Sequence, residues 1–295
     1  MPIKDQLTGT GVALVTPFKQ DHSIDFDALK ALINFVIEGG VNYLVTLGTT
    51  GETPTLTQQE KIDLVNFTYD TVSARIPVVV GIGGNDTRSV MKDIETFPLD
   101  NALAILSVSP SYNKPSQEGI YQHYKAIAGV KSIPIILYNV PGRTGSNIAP
   151  ETTVRLAHDI DNINGIKEAS GNMAQCLQIL RDKPQDFLVV SGDDNLALGQ
   201  IAMGMDGVIS VAANCFPKDF STMVNYAVAG DFQNARAWNS RLLRGYELLF
   251  AENNPAGVKA ALTELGVIQN YLRLPLVPLS AGLAQQLRDY LPSLK

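Results

Sequence analysis

The sequence predicts an α/β fold, a (β/α)8 barrel of the TIM type with a small all-helical C-terminal appendage, and three observations carry that expectation. Eight short apolar runs recur, at residues 12–15, 43–47, 77–80, 102–108, 134–138, 163–167, 188–191 and 207–211. Helical periodicity fills most of the gaps between them, usually opened by Ser, Thr, Asp, Asn or Pro. Beyond the eighth run only helical patterns remain. Strands joined by helix-length connections make parallel βαβ units, and eight of them within about 210 residues fit a closed barrel better than an open doubly wound sheet.

Taken in order, helical patterns occupy residues 25–38, 57–75, 117–130, 150–158, 173–181 and 195–203, and a last barrel helix begins near Lys218. Further helices are expected at 232–247, 257–265 and 281–290, with Leu274-Pro-Leu-Val-Pro278 breaking the chain before the last. The barrel is therefore assigned to residues 1–230 and the appendage to 231–295. No Gly/Ser linker separates them, so the appendage should pack directly on the barrel.

At 295 residues and 45% hydrophobic, the chain is long enough for one large domain. Its net charge of −6 argues against nucleic acid and offers no general attraction to an anionic substrate, so any anion must be held locally. No cationic, apolar leader follows Met1, and the longest candidate span, residues 196–213, is interrupted by Gln200, Asp206 and several glycines. Neither secretion nor membrane insertion is expected. Cys176 and Cys215 stand far apart without a CxxC or a His neighbour, as buried thiols of a reducing compartment would. The expected location is the cytoplasm.

Chemistry in such a barrel sits at the C-terminal ends of the strands. The sixth run, inside Ile163-Asn-Gly-Ile-Lys-Glu-Ala-Ser-Gly171, ends on Lys167. A lysine there faces a partner carboxylate, with Glu168 adjacent, or a reactive pocket. In a pocket, desolvation would bring its pKa from ~10.4 toward ~7 to 8, and the neutral amine can attack a ketone to form a Schiff base.

The other strand ends supply its neighbours. Gly48-Thr-Thr-Gly51 offers backbone N–H groups and the hydroxyls of Thr49 and Thr50 as a cradle for a carboxylate or phosphate, or else is a turn into the next helix. Tyr112 lies in the loop after the fourth run. Tyr138 takes the last apolar position of the fifth, its ring able to pack while the hydroxyl reaches the rim. Arg143, between two glycines and after a proline, is presented for a bidentate grip on a carboxylate, unless it pairs with a local acid. Asp193-Asp194 opens a helical stretch and is expected to cap it rather than bind metal, since no His lies near. Gly81-Ile-Gly-Gly84 lacks the spacing of a dinucleotide loop and reads as close backbone packing. His22, His123 and His158 fall outside the rim, leaving acid–base work to tyrosine or lysine.

Together these residues resemble the dihydrodipicolinate synthase (4-hydroxy-tetrahydrodipicolinate synthase) family, within the pyruvate-dependent class I aldolases and lyases that include N-acetylneuraminate lyase. The resemblance runs almost the full length. It rests on Gly48-Thr-Thr-Gly-Glu52, residues 109–119, Tyr138-Asn-Val-Pro-Gly-Arg-Thr-Gly145, Gly165-Ile-Lys-Glu-Ala-Ser-Gly171, Ser191-Gly-Asp-Asp194, Gly207-Val-Ile-Ser210 and Asn254-Pro255 with Lys259.

The resemblance implies a lyase of diaminopimelate and lysine biosynthesis that condenses pyruvate with L-aspartate 4-semialdehyde and needs no metal or organic cofactor. Lys167 would carry the pyruvate Schiff base, lined by Thr49, Thr50 and Tyr138. Tyr138 would shuttle protons through Thr50 and Tyr112, the tyrosine reaching in from a neighbouring subunit of a homodimer, itself half of a tetramer. Arg143 would hold the aldehyde's carboxylate, with Thr50, the Ile209 carbonyl and Gly192 also on the substrate side. A 2-keto-3-deoxy sugar acid aldolase would share Lys167 and Tyr138 but generally lacks the arginine. Gly142 and Ser111 stand where many members carry serine and a second tyrosine. Members inhibited by lysine typically have histidine and glutamate where Lys61 and Ser89 stand here, which implies weak feedback or none.

Overall fold

The computed structural model describes residues 2–294. Eight parallel strands close on themselves in chain order: β1 (Gly9–Ala13), β2 (Tyr43–Thr46), β3 (Val78–Gly81), β4 (Ala104–Val108), β5 (Ile135–Asn139), β6 (Ile163–Glu168), β7 (Leu188–Ser191) and β8 (Gly207–Ser210). Helices on the outside leave both faces of every strand buried, which is why the strands read as nearly continuous apolar runs.

Alternation along the strands makes two apolar layers. Ile135 and Leu137 of β5 and Ile163 and Ile166 of β6 pack outward against the helices. Ile136 and Tyr138 face the barrel interior, with Tyr43, Val45, Leu106, Val190 and Ile209. Tyr138 and Lys167 are direct partners across β5 and β6. They therefore project side by side at the C-terminal end of the barrel.

Caps explain several helix starts. Thr57 and Glu60 form a reciprocal capping box at Gln58–Val72, and Asp25, Ser116, Asn172 and Asp231 each accept a backbone N–H of the helix they precede. The opposite end of the barrel is closed by a helix not expected from the sequence, Ile3–Leu7, whose Ile3 and Leu7 enter the inner layer.

Asp194 corrects one expectation. It caps no helix: Ala197–Ala202 begins at Leu196 with no side-chain cap. The carboxylate is instead 2% exposed and accepts N–H bonds from Val211 (3.2 Å) and Ala212 (2.9 Å), tying the end of β7 to the turn after β8. Burial raises its pKa to about 6 despite those bonds.

Beyond the barrel helix Pro217–Val228, the helices Phe232–Phe250, Ala256–Glu264 and Ala281–Tyr290 pack onto the barrel and onto one another. Among the described residues no helix is long and apolar enough to cross a membrane, and no three His, Cys, Asp or Glu side chains converge as metal ligands. Cys176 and Cys215 are buried free thiols.

Candidate active site

Lys167 is 4% exposed at the end of β6 and forms no ion pair with Glu168. Glu168 faces the other way and is saturated by neutral donors: Asn139 Nδ2 (3.0 Å), Gln175 Nε2 (3.0 Å) and the Ser170 N–H (2.7 Å). The carboxylate is thus spent on fixing the strand ends. Lys167 Nζ instead lies 4.4 Å from the centroid of the Tyr138 ring. Gly192 makes room for it, since a Cβ there would stand 3.0 Å from Lys167 Cε and 2.5 Å from Ala169 Cβ.

A cavity of about 360 Å³ opens over the lysine. Thr49, Thr50, Tyr138, Arg143, Lys167 and Gly192 all line it, so the structure brings together six of the eight residues expected at the site. The glycine-rich stretch Gly81-Ile-Gly-Gly84 packs backbone to backbone beside it: a Cβ at Gly81 would fall 2.2 Å from the Leu47 carbonyl oxygen.

Thr49–Gly51 forms a single 3₁₀ turn. The N–H groups of Gly51 and Glu52 are consumed within it, bonded to the Gly48 and Thr49 carbonyls, so the turn offers fewer free amides than an open cradle would. Thr50 is 2% exposed, and its Oγ1 accepts a hydrogen bond from Asn254 Nδ2 at 2.9 Å. With one lone pair so engaged, the hydroxyl proton remains available to donate.

Arg143 lies in the short helix Pro141–Thr144, exposed, with no ion pair or side-chain hydrogen bond among the described residues. A local acid does not claim it. The Ile209 side chain belongs to the inner apolar layer below the cavity, leaving only its backbone to meet a ligand.

Tyr112 is the residue the single chain does not bring in. It is 89% exposed and outside the cavity lining, held at φ 71° by a bond from its N–H to the Thr144 carbonyl (3.1 Å).

Among the lining residues not singled out as contacting a ligand, the polar and aromatic ones are Asp193 after β7, and Phe250, Asn253 and Asn254, which come from the end of the helix Phe232–Phe250 and from the loop that joins it to the helix Ala256–Glu264. Those helices therefore form one wall. They are fixed to the rim by Lys259, which is fully buried, pairs with Glu52, donates to the Tyr271 carbonyl at 2.9 Å, and stands 4.2 Å from the Phe18 ring centroid. Burial lowers the Lys259 pKa to about 8 against the opposing pull of Glu52. The motif Asn254-Pro255 with Lys259 was the visible signal of this wall.

Comparison with known proteins agrees with that geometry. The sequence matches the Dihydrodipicolinate synthetase family over residues 6–293. It is 50% identical over 288 residues to the 4-hydroxy-tetrahydrodipicolinate synthase of Parabacteroides distasonis, covering 98% of this chain and 97% of that one. A solved monomeric dihydrodipicolinate synthase variant superposes with a TM-score of 0.95 at 41% identity, covering 98% and 97% of the two chains. The chloride-inhibited enzyme from Acinetobacter baumannii, solved complexed with pyruvate, gives 0.94 at 41% identity over 97% and 98%. With a match over nearly its whole length and a lysine set at a barrel strand end against Tyr138, in a cavity that Arg143 also lines, the chain belongs to the dihydrodipicolinate synthetase family.

Proposed function

We propose that the protein is a lyase that condenses pyruvate with L-aspartate 4-semialdehyde through a Schiff base on Lys167, the reaction of a 4-hydroxy-tetrahydrodipicolinate synthase. The observation that carries this is a buried lysine whose adjacent carboxylate is otherwise engaged, opening onto a cavity shared with Arg143. Lys167 attacks the keto carbon of pyruvate, and loss of a methyl proton gives the enamine that adds to the aldehyde. Tyr138, whose ring lies against Lys167, moves protons at the imine and enamine stages, with Thr49 and Thr50 lining the adduct and Thr50 passing protons on. Arg143 grips the aldehyde's carboxylate, Gly192 gives the adduct space, and the Ile209 carbonyl contacts the pyruvate side.

Tyr112 completes the relay from a neighbouring copy on this reading. Its exposure and its position outside its own cavity support that assignment, which makes a homodimer the minimal active unit and a dimer of dimers the expected assembly. Residues 1–230 then carry the covalent chemistry while residues 231–295 brace the Thr50 side. The expected setting is the cytoplasm.

Borohydride reduction with pyruvate should label Lys167 alone. An adduct mapped to Lys114 or Lys259 would overturn the mechanism. Condensation of pyruvate with aspartate semialdehyde should far exceed cleavage of 2-keto-3-deoxy sugar acids, the reverse marking the chain as a sugar-acid aldolase. Arg143→Ala should keep the trapping while raising KM for the aldehyde.

A further inference from the structure

L-Aspartate 4-semialdehyde carries a carboxylate and an ammonium group, and Arg143 accounts only for the first. The cavity has a counterpart for the second. Asp193 is its only acidic lining residue among those described, against two basic ones, Arg143 and Lys167. Among the described residues its side chain makes no ion pair and no hydrogen bond. Structural work at this position is done by the backbone: Ser191 Oγ donates to the Asp193 carbonyl and accepts from its N–H, both at 3.1 Å, and the Leu196 N–H donates to the same carbonyl at 3.2 Å. A half-buried carboxylate on a braced turn, with no hydrogen bond or ion pair among the described residues and only the longer-range charge of Lys167 acting on it, is held for something that enters the cavity.

Its place in the chain suits the chemistry. Asp193 follows Gly192, the residue lying against the stem of Lys167. Ring closure requires the substrate's nitrogen to reach the carbon bonded to Lys167 Nζ, so the nitrogen must be delivered to this side of the cavity. We infer that Asp193 binds the α-ammonium of the aldehyde substrate, selects amino-acid aldehydes over aldehydes that lack the amine, and takes the proton whose loss lets the nitrogen attack. Of the ammonium's three protons, one goes to Asp193, one to Lys167 nitrogen and one stays on the ring nitrogen. The new C–N bond forms with the freed electron pair, and the C–Nζ bond breaks with its pair returning to Lys167. Burial raises the Asp193 pKa, which favours its acting as that acceptor, while the positive charge of Lys167 pulls the other way.

This assignment rests on the synthase reading, so the experiment separates the two. Wild type, Asp193→Asn and Asp193→Glu are compared for borohydride trapping of pyruvate, for KM of aspartate semialdehyde, and for the inhibition constant of succinate semialdehyde, the same aldehyde without the amine. In Asp193→Asn, trapping should persist and KM for aspartate semialdehyde should rise roughly 10- to 100-fold, the loss of one charge-assisted contact. The inhibition constant of succinate semialdehyde should move by less than about twofold in the same variant, since that ligand makes no ammonium contact. Asp193→Glu, which keeps the charge, should recover part of the affinity. An unchanged KM, or equal weakening of both aldehydes, overturns the inference, as does loss of trapping in both variants. Wild type that traps pyruvate but does not condense aspartate semialdehyde refutes the synthase reading itself, and does so before any variant is made.

Discussion

Removing the ammonium of Lys259 should destabilise the protein more than any other single change outside the barrel core. Lys259 and Glu52 are both fully buried, so Lys259→Met leaves a carboxylate without its counter-charge in a region shielded from water. Truncating one partner of such a pair costs about 3–5 kcal/mol. The hydrogen bond to the Tyr271 carbonyl and the contact with the Phe18 ring go with it. An unfolding entropy of about 2.1 cal/mol/K per residue makes a 4 kcal/mol loss a fall in Tm of roughly 6 °C for a chain of this length.

Glu52→Gln should cost a comparable amount, because it strands Lys259. The double variant Glu52→Gln/Lys259→Met should cost less than the sum of the two by about 2 kcal/mol, since neither charge is then left alone. Glu52 ends the turn that holds Thr49 and Thr50, at φ 54°, and accepts the Arg273 N–H at 3.0 Å, so kcat should fall in the single variants as well. Thermal unfolding and steady-state kinetics on the four proteins measure both effects. Additive single costs, within about 0.5 kcal/mol, would refute the coupling.

His123 should make the protein acid-sensitive. It is buried, bonded through Nδ1 to Thr87 Oγ1 at 2.9 Å, with no partner for Nε2 among the described residues, and burial lowers its pKa from 6.5 to about 4. The unfolded chain takes up this proton first, so the contribution is present above pH ~6.5 and lost as pH falls toward 4, roughly 2 kcal/mol between pH 7 and 4.5. Urea unfolding at those two pH values should show that much less loss in His123→Gln, and an identical loss in both proteins would exclude His123. Mixing Tyr112→Phe with Lys167→Ala, each nearly inactive, should restore about a quarter of wild-type activity, because only mixed dimers contain one whole site. Subunit exchange verified by native mass spectrometry without recovered activity would rule out the shared relay. L-Lysine should inhibit weakly or not at all: Lys61 lines a second cavity of about 270 Å³ that shares Gly48, Thr49 and Tyr138 with the first, and Ser89 bonds to Asp86 instead of offering a carboxylate. Half-maximal inhibition at sub-millimolar lysine would contradict this.

What the sequence made legible, and what it hid, divides along the range of the interactions concerned. Strands buried on both faces announce themselves as apolar runs, and all eight lie where such runs do. The one with the largest displacement, expected at 12–15 and found at Gly9–Ala13, begins with residues that are small instead of apolar. Gly11 has no side chain because the ring of Tyr43 fills that space, a Cβ falling 2.2 Å from it. Packing across two strands set that residue, and no reading along one strand recovers it. Ile3–Leu7 is too short to show a helical period.

The site follows the same rule. Lys167 and Tyr138 were legible because strand ends are local features, and the ladder then sets them side by side. Adjacent acids at 193 and 194 look alike to any local rule, yet one turns inward to receive two N–H groups from the turn after β8 and the other faces the cavity with no hydrogen bond or ion pair among the described residues. Asn254 meets Thr50 across 204 residues of chain, so nothing near either residue reports the bond. A hydrophobic period states where an element lies but not what its polar residues touch. Only closure of the barrel, and the docking of the helices after it, decides which of two neighbouring carboxylates becomes structure and which is left for a substrate.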